Sequence, residues 1–241
     1  MCIIVVKPKE SNLPSKTIIQ NCFENNPDGA GYMYRRGKTI HIVKGFFDVD
    51  ALWKSLQAVK EADVCIHFRW ATHGAVNRGN CHPFPITDDV HEMQNTRAHC
   101  KVAVAHNGII HGMKASKYIS DTMMFIKTMD KSKKIEHQLL KDDGKFCVFT
   151  EKQAYIIGEF LYNEGIFYSN DDYKEVHKYI PDSLEDDMLK MCNECTSQTC
   201  EGCPFLDEYE KLNASEIEFL KGDKAFKDDD RDMDDAINEM C

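Results

Sequence analysis

Cys2 directly follows the initiator methionine. Methionine is normally removed when the next residue is small, and removal leaves a thiol and a free α-amine on one residue. Such an amine has a reference pKa of about 8, so it can take the thiol's proton without a neighbouring histidine. The same residue also reads as a strand-end cysteine that happens to stand second. His67-Phe68-Arg69-Trp70-Ala71-Thr72-His73-Gly74 runs from an apolar segment into a Gly-containing loop, where a scaffold presents functional groups. Arg69 suits bidentate recognition of a carboxylate, although a surface arginine between core histidines fits the same letters. In His106-Asn107-Gly108-Ile109, an amide followed by glycine can aim two N–H groups at one oxygen, as an oxyanion hole requires. Asn-Gly is equally a common turn. Asp121 follows Ser120 at a helix start, where an acidic residue serves capping and dipole chemistry without any further role.

The chain has 11 cysteines in 241 residues. Cys22, Cys65, Cys100 and Cys147 lie in or beside apolar segments and read as small core residues. Cys81, before His82-Pro83, does not fit that reading. Cys192, Cys195, Cys200 and Cys203 form C-x2-C-x4-C-x2-C, a metal-ligand spacing read here as a structural zinc site. Iron–sulfur ligation and unligated thiols are the alternatives.

The elements that must position these residues follow from periodicity and punctuation. Residues 2–7 form a β-branched run ending at Pro8, a buried strand. A helix opens near Pro14 with Ile18, Cys22 and Phe23 on one face. Segments 31–36 and 39–43 read as a hairpin around Gly37-Lys38, and 48–61 as a helix with Leu52, Leu56 and Val59 inward. Further strands are expected at 64–68, 102–105, 145–150, 154–158 and 166–169, with a helix capped by Ser120. Residues 71–99, rich in Gly, Pro and polar residues, read as loop, and 75–99 as material for a lid. Strands without regular βαβ alternation favour a mixed α/β (α+β) sandwich over a doubly wound sheet. A hydrophobic fraction of 42% suffices for a core. Forty acidic against thirty basic residues, a net charge of −10, argue against a general nucleic-acid or anionic-membrane binder. With no long apolar run and no leader pattern, the expected location is cytoplasmic. The acidic end after residue 222 reads as a solvated tail.

Taken in order, Cys2, the stretch 26–31 (NPDGAG), HFRWATHG, CHPFP, AHNGII and SDT resemble the class II glutamine amidotransferases, which are N-terminal-nucleophile hydrolases. The second and fourth of the longer motifs are most similar to the glutaminase domain of glucosamine-phosphate synthase. The resemblance spans roughly residues 2–180, leaving 181–241 as a Cys-rich extension. It implies a four-layer αββα sandwich. It also implies Cys2 as nucleophile with its own α-amine as base, and Asn107 with the Gly108 N–H as oxyanion hole. Arg69 would hold the glutamine α-carboxylate and Asp121 the α-ammonium. Thr72 and His73 would line the pocket, Trp70 and His82 would position groups, and His67 would support the strand end. No cofactor is implied for that chemistry.

The expected function is therefore a glutaminase subunit that releases glutamate and passes ammonia to a synthase or ligase in trans. The alternatives are a stand-alone amidohydrolase on a γ-glutamyl or other small amide, and a non-catalytic module that senses glutamine or docks a partner.

Overall fold

The computed structural model divides the chain into two units, Met1–Lys178 and Tyr179–Cys241. It describes residues 2–71, 75–110, 112–113, 116, 118–130 and 132–176. In chain order the elements are β1 (Ile3–Lys7), α1 (Lys16–Asn25), β2 (Ala30–Arg36), β3 (Thr39–Phe46), α2 (Val49–Gln57) and β4 (Val64–Phe68). A single 3-10 turn at Arg78–Asn80 leads to β5 (Phe84–Pro85), α3 (Val90–Gln94), β6 (Arg97–Cys100) and β7 (Val102–Asn107). Then come α4 (Asp121–Thr128), α5 (Ile135–Leu139), β8 (Lys145–Thr150), β9 (Ala154–Ile157), β10 (Leu161–Asn163) and β11 (Ile166–Tyr168).

The strands make two antiparallel sheets, one ordered β10-β11-β1-β4-β2-β3-β6 and the other β5-β7-β8-β9. Alternation along each strand explains how they pack, because successive side chains point to opposite faces. In β1, Ile3 and Val5 join Ile19, Cys22, Leu52 and Leu56 of α1 and α2 in one core. Ile4 and Val6 face the other way and meet Ala103, Ala105, Cys147 and Phe149 of the second sheet. The opposite face of that sheet, with Val104, Phe146 and Val148, covers Met93, Met123, Ile126 and Leu139 from α3, α4 and α5. Both faces of the central strands are thus buried, which is why β1 reads as an apolar run up to Lys7 and β4 as one interrupted only by His67. Each fully buried Ile or Phe contributes roughly 1.5–3 kcal/mol relative to exposure.

Helix starts match their sequence signals. Ser15, Asp48 and Ser120 accept hydrogen bonds from the N–H groups of Ile18, Ala51 and Met123. On α1 the most buried residues are Ile19, Cys22 and Asn25, with Ile18 and Phe23 only partly covered, so the inward face is rotated from the expected one. Helix α2 ends at Gln57, earlier than expected, although Val59 beyond it is still buried.

Two readings of the sequence are corrected. Cys81 is a fully buried core residue, and Cys100 is only partly buried. The stretch after residue 75 is a set of anchored short elements rather than loop. Buried Lys44 ties it down: its Nζ donates to the carbonyls of Gly79 (3.0 Å) and Met93 (2.5 Å) and lies 4.1 Å from the centre of the Phe84 ring. Asn80 and Met93 have no exposed surface. A lid formed by all of 75–99 does not fit such anchoring.

Candidate active site

Cys2 sits just before β1, and the register Ile3↔Phe68 sets it beside the residues leaving β4. Its sulfur accepts a hydrogen bond from the Trp70 N–H at 3.3 Å and lies 3.4 Å from the Trp70 carbonyl. The side-chain amide of Asn170, just past β11, donates to the Cys2 carbonyl at 3.0 Å. Burial of the sulfur pushes the thiol pKa up, against the Trp70 N–H and the Arg69 charge, which pull it down; Asp121 adds to the rise. The residue as a whole keeps partial exposure. Arg69 and Asp121 thus bear on the Cys2 sulfur with opposite signs, one from the chain just past β4 and one from the start of α4.

Arg69 is held by its backbone and its head. Its N–H donates to the Gly29 carbonyl (2.8 Å), and its carbonyl accepts from the Asp28 N–H (3.0 Å). Asp28 in turn accepts from the Ala71 N–H at 2.8 Å, so the 26–29 turn fixes the chain on both sides of Arg69. The guanidinium, buried to 3% exposure, donates from Nη1 to the Ala75 carbonyl at 2.9 Å, which the Asn80 amide also reaches at 3.0 Å. Next door, a Cβ on Gly31 would drive into the His82 carbonyl and the Lys44 side chain, so only glycine permits that approach.

Asn107 ends β7 in the other sheet and is buried. Its Nδ2 donates to Ser169 Oγ at 2.9 Å, and a primary amide has a second proton to give. Gly108 has φ +148°, and a Cβ there would lie 2.9 Å from His106 Nε2 and 3.1 Å from the Gly144 Cα. Glycine is therefore required where the chain turns its backbone after Asn107. Asp121, the first residue of α4, accepts from the Ile110 N–H (3.0 Å) and the Thr122 N–H (2.8 Å). Its carboxylate thus ties the loop after Gly108 to the helix.

Behind these residues lies a buried group of imidazoles. His67 and His82 lie tilted with centroids 4.3 Å apart, His82 meets Phe84 at 4.5 Å, and His106 stacks on Phe146 at 4.5 Å. His67 Nε2 pairs with the His106 carbonyl (2.9 Å) and His106 Nδ1 with Thr122 Oγ1 (3.1 Å). Both nitrogens of His82 lack a protein partner. Burial drives all three pKa values down, to about 3 for His67 and about 4 for His106, so the rings are neutral.

Of the residues singled out from sequence, Cys2 feels the charges of Arg69 and Asp121, and Asn107 reaches Ser169 Oγ, which also accepts from the Ile4 N–H. Trp70 contributes its backbone, while its side chain is 41% exposed. His67 and His82 belong to the imidazole group. Thr72 and His73 lie outside the described residues, as do Cys192, Cys195, Cys200 and Cys203. Among the described residues no group of three or more His, Cys, Asp or Glu side chains is arranged to hold a metal, and no helix is long and apolar enough to cross a membrane. Sequence reasoning missed Ser169, Asn170 and Asn80, and it gave Asp28 no task of its own. A polar run directly after an apolar strand, Ser169-Asn170-Asp171-Asp172, was the available signal.

No family model and no curated protein matches the sequence. Among solved structures, the chain is similar to glutamine phosphoribosylpyrophosphate (PRPP) amidotransferase from B. subtilis complexed with ADP and GMP, at 14% identity and a TM-score of 0.47. That match covers 70% of this chain and 41% of the other. A structure described as the allosteric regulatory enzyme of purine biosynthesis is similar at 14% identity and a TM-score of 0.44, with the same coverage. The chain thus spans less than half the length of either.

Proposed function

We propose that this chain is the glutamine-hydrolysing subunit of an amidotransferase, with a four-layer αββα arrangement and Cys2 as nucleophile. The observation that supports this most is geometric: the Cys2 sulfur accepts from the Trp70 N–H, one residue from buried Arg69, and the charge of Asp121 also reaches it. A free α-amino acid carries one carboxylate and one ammonium. An arginine and an aspartate beside a thiol complement both charges, and a mismatched substrate would leave one buried charge unpaired.

Burial raises the Cys2 thiol pKa, so attack needs a base. In this proposal Met1 is removed and the freed α-amine, with a reference pKa of about 8, takes the thiol proton. The thiolate then adds to the side-chain amide carbon. Negative charge develops on the amide oxygen, where the second Asn107 Nδ2 proton and the Gly108 N–H stabilise it. The C–N bond breaks, the Cys2 α-ammonium formed in the first step protonates the leaving nitrogen, and ammonia departs. Water, deprotonated by the amine, cleaves the glutamyl thioester to glutamate and restores the thiol. Thr72 and His73 would line the substrate pocket. Ammonia would pass to a synthase or ligase supplied in trans.

Glutamate and ammonia release from glutamine tests the reading. Wild-type chain lacking Met1 should release both in equal amounts, and Cys2→Ala should release neither. Equal rates in the two proteins would rule out Cys2 as the nucleophile.

A further inference from the structure

Under the proposed reaction, nucleophile and oxyanion donor come from different sheets. Cys2 precedes β1 in one, and Asn107 ends β7 in the other. Something must fix the distance between them to a fraction of an ångström, because transition-state stabilisation falls off steeply with misplacement. Hydrophobic packing between β1 and β7 sets the layer spacing but does not aim an amide.

Ser169 is where the two strands meet in hydrogen bonds. From the Cys2 side, the Ile4 N–H donates to Ser169 Oγ at 2.8 Å, and the Ser169 N–H donates to the Ile4 carbonyl at 2.9 Å. From the Asn107 side, Nδ2 donates to the same Oγ at 2.9 Å. Lys145, the register partner of Asn107 on β8, donates from Nζ to the Ser169 carbonyl at 2.5 Å. Two bonds from each sheet therefore converge on one residue with no exposed surface. With Oγ accepting two donors, both hydroxyl lone pairs are used. The Asn107 amide is thereby held with one proton engaged and the other available for substrate. Asn170, the next residue, holds the Cys2 carbonyl, so the same short segment grips the nucleophile's backbone.

We propose that Ser169 is a positioning residue whose hydroxyl, by binding the β1 backbone and the Asn107 amide at one oxygen, sets the separation between the Cys2 sulfur and the oxyanion donor. The inference rests on the glutaminase reading. A residue that acts through Asn107 has a kinetic signature that a general structural residue lacks. Ser169→Ala should lower kcat about tenfold to 10²-fold while KM stays within about threefold, because aim matters most in the transition state. Alkylation of Cys2 by iodoacetamide should proceed at the wild-type rate, since the thiol and its base are untouched. Adding Ser169→Ala to Asn107→Ala should cause little further loss, as expected when one residue works through the other. Ser169→Thr, which keeps the hydroxyl, should restore most of kcat.

A full wild-type kcat in Ser169→Ala would overturn the inference. So would fully additive losses in the double variant, or a parallel fall in kcat, alkylation rate and melting temperature, which would mark a merely structural residue. Wild-type chain with no glutamine turnover would remove the glutaminase reading and this inference together. Wild-type turnover matched by Ser169→Ala would remove the inference alone.

Discussion

Asn107 and Arg69 have different tasks in the proposed reaction, and steady-state kinetics separates them. Asn107 meets charge that exists only in the transition state, so Asn107→Ala should cut kcat by ~10²–10³-fold with a small change in KM. Arg69 would meet a carboxylate already present in the ground state. Arg69→Lys replaces a planar fork with a point charge and should chiefly raise KM. The opposite pattern, measured on glutamine hydrolysis, would reverse the two assignments. Residues of this kind are legible in a sequence because their types announce chemistry: a second-position cysteine, an arginine leaving a strand, an Asn-Gly pair. Ser169, Asn170 and Asp28 announce nothing. A serine, asparagine or aspartate beside a strand is ordinary turn chemistry, and the decisive partners here are far along the chain, Ala71 for Asp28, Ile4 for Ser169 and Cys2 for Asn170. Their work depends on the fold being assembled, so local pattern cannot reveal it.

At the scale of elements, strands buried on both faces were plain from their Ile and Val content, and β4 was located to the residue. The edge strand β6, Arg97–Cys100, was hidden because its residues are polar and alternate exposed with half-buried. Lys44 concealed the order that follows residue 75, since a lysine in a strand normally signals a solvated position. Its ammonium is instead buried against two carbonyls and an aromatic face, and burial brings its pKa down to about 7. Removing that tie should loosen the 3-10 turn and α3 before the sheets. In Lys44→Ala, limited proteolysis should cut first between residues 76 and 96, at a protease level that leaves wild type intact. Cleavage elsewhere first, or resistance equal to wild type, would show that the tie does not hold this segment.

Across the whole molecule, the three buried neutral imidazoles make folding sensitive to acid. Histidines in the unfolded chain take up protons through a pKa of 6.5, whereas His67 and His106 in the fold do so only near 3 and 4, and His82 well below 6.5. The unfolded state therefore binds more protons below about pH 6.5, and stability falls with pH until the folded values are reached. Each such group contributes about 1.4 kcal/mol per pH unit within that window. Melting temperature should drop between pH 7 and pH 5, and His82→Phe, which loses no protein hydrogen bond, should drop less. Parallel curves for the two proteins would assign the acid sensitivity elsewhere. The central claim concerns the covalent step, and intact-mass measurement of acid-quenched protein during glutamine turnover tests it most directly. The expected species lacks Met1 and carries one additional glutamyl group, mapped by peptide analysis to Cys2. Glutamine turnover by protein that retains Met1, or a glutamyl group on any residue other than Cys2, would contradict it.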